Sequence, residues 1–388
     1  MSFVSRLLRR SFSAATATAT ATETATTAVR RPGSVSADLY RENDLKRLVE
    51  KFKTACDNER FRTKSGIYKA TVRKLASAKR FKWVEEILEH QKQYNNISSE
   101  GFTARLIYLY GSSGMFENAQ KVFDEMPERN CKQTVLSFNA LLGAYVNSKK
   151  CEMVDELFQS LPEKLGVEPD LVSYNTLVKA FCDMKSYDSA TMLLDEMEKK
   201  GINPDAITFN TLLYAYYWNG KFEEGEKIWT RMLSKNVVPD IRSYNAKLEG
   251  LAVKKKTNEA IELIEEMRSK TIEPDTFSFN SVFKCYVNDG NLEELKQWYD
   301  DMEKSGCEVN RGTFGILVPF LCEKGDLEFA LKLCKEIFSK RYLVNEELLQ
   351  GVVDSLVKES RIEEAEELVS LGKTNKYRRY KLNLPAQE

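Results

Sequence analysis

The chain has one histidine, His90, in 388 residues. A single imidazole excludes a zinc site of the Cys/His type, a redundant histidine triad and the H-x-E deaminase signature. No G-x-x-x-x-G-K-[ST] loop is present to cradle a phosphate chain. The eight cysteines form no C-x-x-C pair. Cys182 and Cys322 instead fall at the same place in a repeat, as small helix-packing residues do. No apolar run approaches the roughly 20 residues that cross a membrane. The carboxylates follow a helical period, so none reads as a general acid or base. Together these absences point away from catalysis, a cofactor, a metal, a small-molecule substrate and a membrane.

Net charge is also lacking, with 58 basic against 58 acidic residues. The balance hides a gradient. Residues 1–31 carry five arginines and one acid, which leaves 53 bases and 57 acids in the remainder. A mildly acidic body does not bind nucleic acid through bulk charge. The first twelve positions of the six units that span 135–345 hold Lys179, Arg242, Lys247, Lys284 and Arg311 but only one acid, Glu249. Acids gather later in each unit, as at Glu223-Glu224, Glu265-Glu266 and Glu293-Glu294.

What is present is a repeat. The segments SFNALLGAY, SYNTLVKAF, TFNTLLYAY, SYNAKLEGL and SFNSVFKCY follow one another from Ser137 to Tyr286. Each is closed by a residue pair ending in Asp170, Asp205, Asp240, Asp275 or Asn310. The units run 65–99, 100–134, 135–170, 171–205, 206–240, 241–275, 276–310 and 311–345. Each is 35 residues long except 135–170, which has one extra near Lys164-Leu165-Gly166. A period in this range marks stacked helical hairpins.

Within a unit, apolar residues recur twice at i, i+3, i+4 and i+7. In 171–205 they are Tyr174, Leu177, Val178 and Phe181, then Ala190, Leu193, Leu194 and Met197. This is an amphipathic helix drawn twice. Ser137, Ser173, Thr208, Ser243 and Ser278 precede the first stripe, where a hydroxyl is expected to cap the helix. Asn219-Gly220 and Asp289-Gly290 break the two helices apart, and the prolines of the Pro-Asp closers end the second. One hairpin cannot bury both stripes alone, so neighbours must stack.

The expected fold class is therefore all-α, a right-handed superhelical solenoid of helix–turn–helix repeats. The expected organisation is a segment 1–31 read as a mitochondrial transit peptide, a helical lead-in at 32–64, eight repeats over 65–345, a decayed ninth with a basic tail over 346–380, and a C-terminal tail over 381–388. The transit reading rests on Arg6, Arg9 and Arg10 among Ser5, Ser11 and Ser13, with no acid before Glu23. An N-terminal arm that stays attached is the alternative. A mitochondrial destination is expected over a chloroplast one because the start is rich in arginine.

These motifs resemble the P-class pentatricopeptide repeat family. The 35-residue period separates the chain from 34-residue tetratricopeptide arrays, whose Trp and Leu-Gly signature it lacks. The resemblance covers Ser65 to about Tyr380 and is specific over 135–310. It implies that first helices line a concave face and that single-stranded RNA is read one base per repeat. The fifth and last residues of a unit would choose the base. Those pairs are Asn139/Asp170, Asn175/Asp205, Asn210/Asp240, Asn245/Asp275 and Asn280/Asn310. An Asn amide offers a donor and an acceptor, and an Asp carboxylate only acceptors. In the family, Asn with Asp prefers uridine and Asn with Asn prefers pyrimidines. The second residue wedges between bases, a role that suits Leu136, Val172, Ile207 and Phe277 but not Arg242. Lys69/Ser99, Ala104/Thr134 and Gly315/Asn345 depart from the pattern and give no clean reader. The other role for the same residues is local: Asn caps a helix and Asp terminates a turn.

The near-uniform, short code further resembles the short members of the family built into plant mitochondrial ribosomes. Partners implied are mitochondrial ribosomal RNA and ribosomal proteins of the small subunit, or uridine-rich single-stranded RNA. A free factor acting on mitochondrial mRNA and a peptide-binding scaffold are the alternatives. The tail residues Lys373, Lys376, Arg378, Arg379 and Lys381, with Tyr377 and Tyr380 interleaved, suit RNA contact or a solvated tail.

Overall fold

The computed structural model describes residues 35–375 and 377–385. The segment 1–31 read as a transit peptide lies outside them. Among the described residues every regular element is a helix. The chain divides into two compact units, Met1–Pro204 and Asp205–Glu388.

In the first unit, α1 (Val35–Arg41), α2 (Leu45–Ala55) and α3 (Glu59–Arg62) precede four hairpins. These are α4 (Ser65–Ser77) with α5 (Phe81–Glu89), α6 (Glu100–Ser112) with α7 (Phe116–Asp124), α8 (Val135–Asn147) with α9 (Glu152–Leu165), and α10 (Leu171–Asp183) with α11 (Tyr187–Lys199). Helix α6 packs on α8, and α8 on α10. Helices α6 and α8 come close at Gly111, where an added Cβ would stand 2.3 Å from the Ala144 Cα. The extra residue of 135–170 falls where α9 runs on to Leu165, before left-handed Gly166 reverses the chain.

The second unit holds α12 (Ala206–Trp218) with α13 (Phe222–Ser234), α14 (Ile241–Val253) with α15 (Thr257–Ser269), α16 (Thr276–Asp289) with α17 (Leu292–Lys304), α18 (Arg311–Glu323) with α19 (Leu327–Ser339), and α20 (Glu346–Lys358) with α21 (Ile362–Thr374). First helices again stack in series, α12 on α14, α14 on α16, α16 on α18 and α18 on α20. The two apolar stripes supply the core. Leu177, Val178, Ala190, Leu194 and Met197 are buried in the first unit, and Phe279, Val282, Phe283, Leu295 and Met302 in the second. Each large side chain so buried contributes roughly 1.5–3 kcal/mol.

The turn inside each hairpin has one recurring requirement. Lys79, Gly114, Lys149, Lys185, Gly220, Lys255, Gly290, Gly325 and Ser360 all adopt positive φ. They occupy the same place in successive repeats. Glycine takes this conformation freely, whereas a lysine there is strained by the clash of its Cβ.

The C-terminal tail departs from the solvated-tail expectation. Tyr380 is buried, with its ring 5.9 Å from that of Phe338, and Leu382 is buried against Gly372. The Lys381 backbone N–H donates to Glu346 Oε2 at 2.7 Å, and that of Asn383 to Gln350 Oε1 at 3.1 Å. Apolar burial at every second residue, 380 and 382, fastens the segment to the last hairpins. Tyr377, Arg378, Arg379 and Lys381 remain exposed.

Candidate nucleic-acid interface

The residues that close the repeats are helix N-caps. Asp170, Asp240, Asp275 and Asn310 have extended backbone, and each side chain accepts from N–H groups in the first turn of the following helix. Asp275 Oδ1, for example, accepts from the Phe277 N–H at 2.9 Å and the Ser278 N–H at 3.1 Å. Asp205 caps α12 in the same way, through Ile207 N–H at 3.0 Å and Thr208 N–H at 2.9 Å. The expectation that the hydroxyl residues cap is corrected. Ser173, Thr208, Ser243 and Ser278 sit three residues inside, and they complete a capping box with the Asp as N-cap. The Asn residues do not cap either. Each lies at the fifth position of its helix, past the orphan N–H groups.

The asparagines instead reach the closing residue of their own repeat. Asn139 Nδ2 donates to Asp170 Oδ1 at 2.9 Å, Asn210 to Asp240 at 2.9 Å, and Asn245 to Asp275 at 3.0 Å. Asn280 donates to Asn310 Oδ1 at a longer 3.3 Å. These four pairs are therefore brought together across 30 or 31 residues of sequence. Asn175 is buried within α10. Burial is the feature that the sequence concealed: Asn175 and Asn210 are 4 % exposed and Asn280 7 %. A buried amide must be satisfied, and each visible donor goes to the neighbouring cap. Among the described residues none donates to Oδ2 of Asp170, Asp240 or Asp275. The pairs of Asn139, Asn210 and Asn245 thus each combine one remaining amide N–H with one carboxylate oxygen, whereas in Asn280–Asn310 both groups are amides.

The second residue of each helix stands next to the pair. Phe277 is 66 % exposed, a large ring without burial, while Leu136, Val172 and Ile207 are half-buried. At α18 the corresponding residue is exposed Gly312, which has no side chain to stack.

The basic residues of the first helices are largely paired. Lys247 Nζ pairs with Glu226 at 2.8 Å, and Lys284 with Glu249 at 2.6 Å. Lys179 pairs with Asp183, one turn along α10. Counting only the first twelve residues missed Asp183 at the thirteenth and Glu226 on the second helix of the neighbouring repeat. Arg311 donates to Asn345 Oδ1 at 2.8 Å. The face is locally neutral, so short-range hydrogen bonding dominates over long-range attraction there.

Some acids of the second helices also have internal work. Tyr174 donates to Glu196 at 2.8 Å and Lys200 to the same oxygen at 2.9 Å. Tyr244, Glu266 and Lys270 repeat the arrangement at 2.9 and 2.6 Å. Burial opposes ionisation of Glu266, but hydrogen bonds from Lys270 and Tyr244 outweigh it and hold its pKa below 4.5; Glu196 is depressed in the same way by Lys200 and Tyr174. Burial pushes the Cys182 thiol up to about 12, which fits a packing role.

The PPR repeat family matches residues 133–183, 169–216, 204–253, 239–288 and 274–323, and the Pentatricopeptide repeat domain matches 96–148. Small ribosomal subunit protein mS78 (rPPR3a) of Arabidopsis thaliana is 54% identical over 207 residues, 51% of this chain and 52% of that protein. Small ribosomal subunit protein mS79 (rPPR3b) of the same plant is 53% identical over 205 residues, 51% of this chain and 52% of that one. The chain thus spans about half the length of these relatives. A crystal structure of the pentatricopeptide repeat protein PPR10 in complex with an 18-nt psaJ RNA element aligns with a TM-score of 0.47 at 18% identity, covering 87% of this chain and 59% of that one. With family matches running from residue 96 to residue 323 and a hydrogen-bonded fifth-to-last pair in repeat after repeat, the chain belongs to the pentatricopeptide repeat family.

Proposed function

We propose that this protein binds single-stranded RNA through its Asn–Asp pairs and serves, without catalysis, as a component of the mitochondrial small ribosomal subunit. The observation that carries RNA binding is the repeated pair itself. One amide N–H beside one carboxylate oxygen matches the carbonyl and N3–H of uracil. Exposed Phe277 offers a face on which an adjoining base stacks, an interaction worth about 1–3 kcal/mol. The ribosomal assignment draws on the likeness to mS78 and mS79, named as small-subunit proteins. The arginine-rich, acid-poor start supports import into mitochondria. A neutral reading face and dispersed acidic second helices suit a protein held by many modest contacts to RNA and to basic neighbours.

Ultraviolet cross-linking in mitochondrial extract tests the assignment. Small-subunit ribosomal RNA should be the main species recovered on the purified protein. Recovery of one messenger RNA instead would make the protein a free factor, and recovery of no RNA would leave a peptide-binding scaffold.

A further inference from the structure

The hydroxyl at the third position of each first helix touches the asparagine of the preceding repeat. Ser173 Oγ lies 2.5 Å from Asn139 Oδ1, Ser243 Oγ 2.6 Å from Asn210 Oδ1, and Ser278 Oγ 2.6 Å from Asn245 Oδ1. Thr313 Oγ1 lies 2.8 Å from Asn280 Oδ1. The direction of these bonds follows from chemistry. In three repeats the cap is a carboxylate, which only accepts, and in the fourth Asn310 Oδ1 already accepts the Gly312 and Thr313 N–H groups, so the Asn NH2 must face the cap and its oxygen must face the hydroxyl. That hydroxyl already accepts the N–H of the cap residue, at 3.1 Å in all four repeats. Its one proton is left to donate, and the Asn oxygen is closer than the cap oxygen, which stands at 3.1–3.4 Å.

We propose that Ser173, Ser243, Ser278 and Thr313 are positioning residues for base recognition, fixing the plane of the preceding repeat's asparagine so that its outward N–H is presented in one orientation. The proposal rests on the base-reading role of the Asn–Asp pairs. Held only by its N–H, a planar amide pivots about that hydrogen bond. Held at both nitrogen and oxygen, it does not. The amide is buried at Asn210 and Asn280 and half-buried at Asn139 and Asn245, so losing the second anchor would leave its oxygen short of a partner and favour rotation toward water. The chain contains its own comparison. The repeat at 100–134 has Ala104 where the others have Asn, and there the hydroxyl of Ser137 turns to the Thr134 carbonyl at 3.1 Å. Both serine and threonine serve where an Asn must be held, which identifies the hydroxyl as the group that matters.

The test uses the full chain with S243A and S278A together, beside S243T and S278T together. Binding is measured to RNAs that vary the base facing Asn210–Asp240 and Asn245–Asp275. The alanine variant should lose roughly two- to tenfold of its uridine preference at each of these two positions and keep its preference elsewhere, which is the range expected for one hydrogen bond. The threonine variant should keep it throughout. A second readout needs no RNA: the side-chain 15N order parameter of Asn245 should fall in S278A and hold in S278T. An unchanged order parameter in S278A overturns the proposal, as does a uridine preference lost equally in both variants. Absence of any base preference in the wild type, with the order parameter still falling, would confirm the anchor and sink the base-reading role on which its purpose depends.

Discussion

The amide of Asn245 donates to the carboxylate of Asp275, thirty residues along the chain, at 3.0 Å. The same carboxylate oxygen caps α16. One residue therefore serves both helix initiation and the recognition pair, and substitutions separate the two. Asp275→Ala removes the cap and should cost about 1 kcal/mol, within the usual 0.5–2 kcal/mol. Asp275→Asn should keep most of that stability, because Asn caps as well as Asp. It should also relax uridine preference toward pyrimidines at one position, as the natural Asn280/Asn310 pair is expected to do. Chemical denaturation and RNA binding, done side by side on both variants, check this.

Changing the amide itself should change the base chosen. Asn210→Thr and Asn245→Thr replace a donor–acceptor amide with a shorter hydroxyl beside Asp240 and Asp275. The preference at those positions should move from uridine toward guanosine. The shift should be about 1–3 kcal/mol per position, read as the ratio of affinities for two RNAs that differ at one base. Identical ratios in variant and wild type would leave the pair with its capping role alone.

The helical hairpins were legible because the 3.6-residue stripe is written twice in each repeat and tied to residues that punctuate helices. Tyr174, Leu177 and Val178 are apolar at helical spacing, and all are buried. The site was legible as a set of residues but not as an arrangement. Sequence shows Asn245 and Asp275 in register; it does not show that the Asn is pinned by Ser278 from the following helix, since that contact depends on how two first helices stack. The pairing of charges was hidden for the same reason. Lys247 looks uncompensated until Glu226, from another helix, arrives 2.8 Å away. The tail hid its packing too, because two apolar residues, Tyr380 and Leu382, set no period that a short segment can display.

Packing makes its own stability predictions. Leu194, on α11, is fully buried, so Leu194→Ala should cost roughly 2–5 kcal/mol. In a stacked array the loss should weaken mainly the neighbouring hairpins, seen as faster amide exchange there and near-normal exchange at α18–α21. At Gly250 an added Cβ would meet the Tyr217 ring at 2.7 Å. Gly250→Ala should therefore cost about 1–3 kcal/mol by overpacking, despite alanine's better helix propensity. The opposite sign is expected at the turns, where Lys185→Gly and Lys255→Gly relieve positive φ and should raise the melting temperature.

Acid should loosen the second helices through Glu196 and Glu266. Both have folded-state pKa values below 4.5, so their contribution is complete above the unfolded value and is lost as pH falls through the folded one. Stability measured from pH 6 down to pH 3 should decline less steeply in Glu196→Gln/Glu266→Gln than in the wild type. Equal slopes would mean that the two Tyr–Glu–Lys clusters do not couple to folding.

Sedimentation of mitochondrial extract at moderate salt tests the central claim most directly. The wild-type protein should travel with the small ribosomal subunit. A variant with Asn139, Asn175, Asn210, Asn245 and Asn280 all changed to Ala should be partly retained there, because contacts to ribosomal RNA and protein extend beyond the Asn pairs. Wild-type protein found only in the light fractions, with the small subunit sedimenting intact without it, would contradict the account.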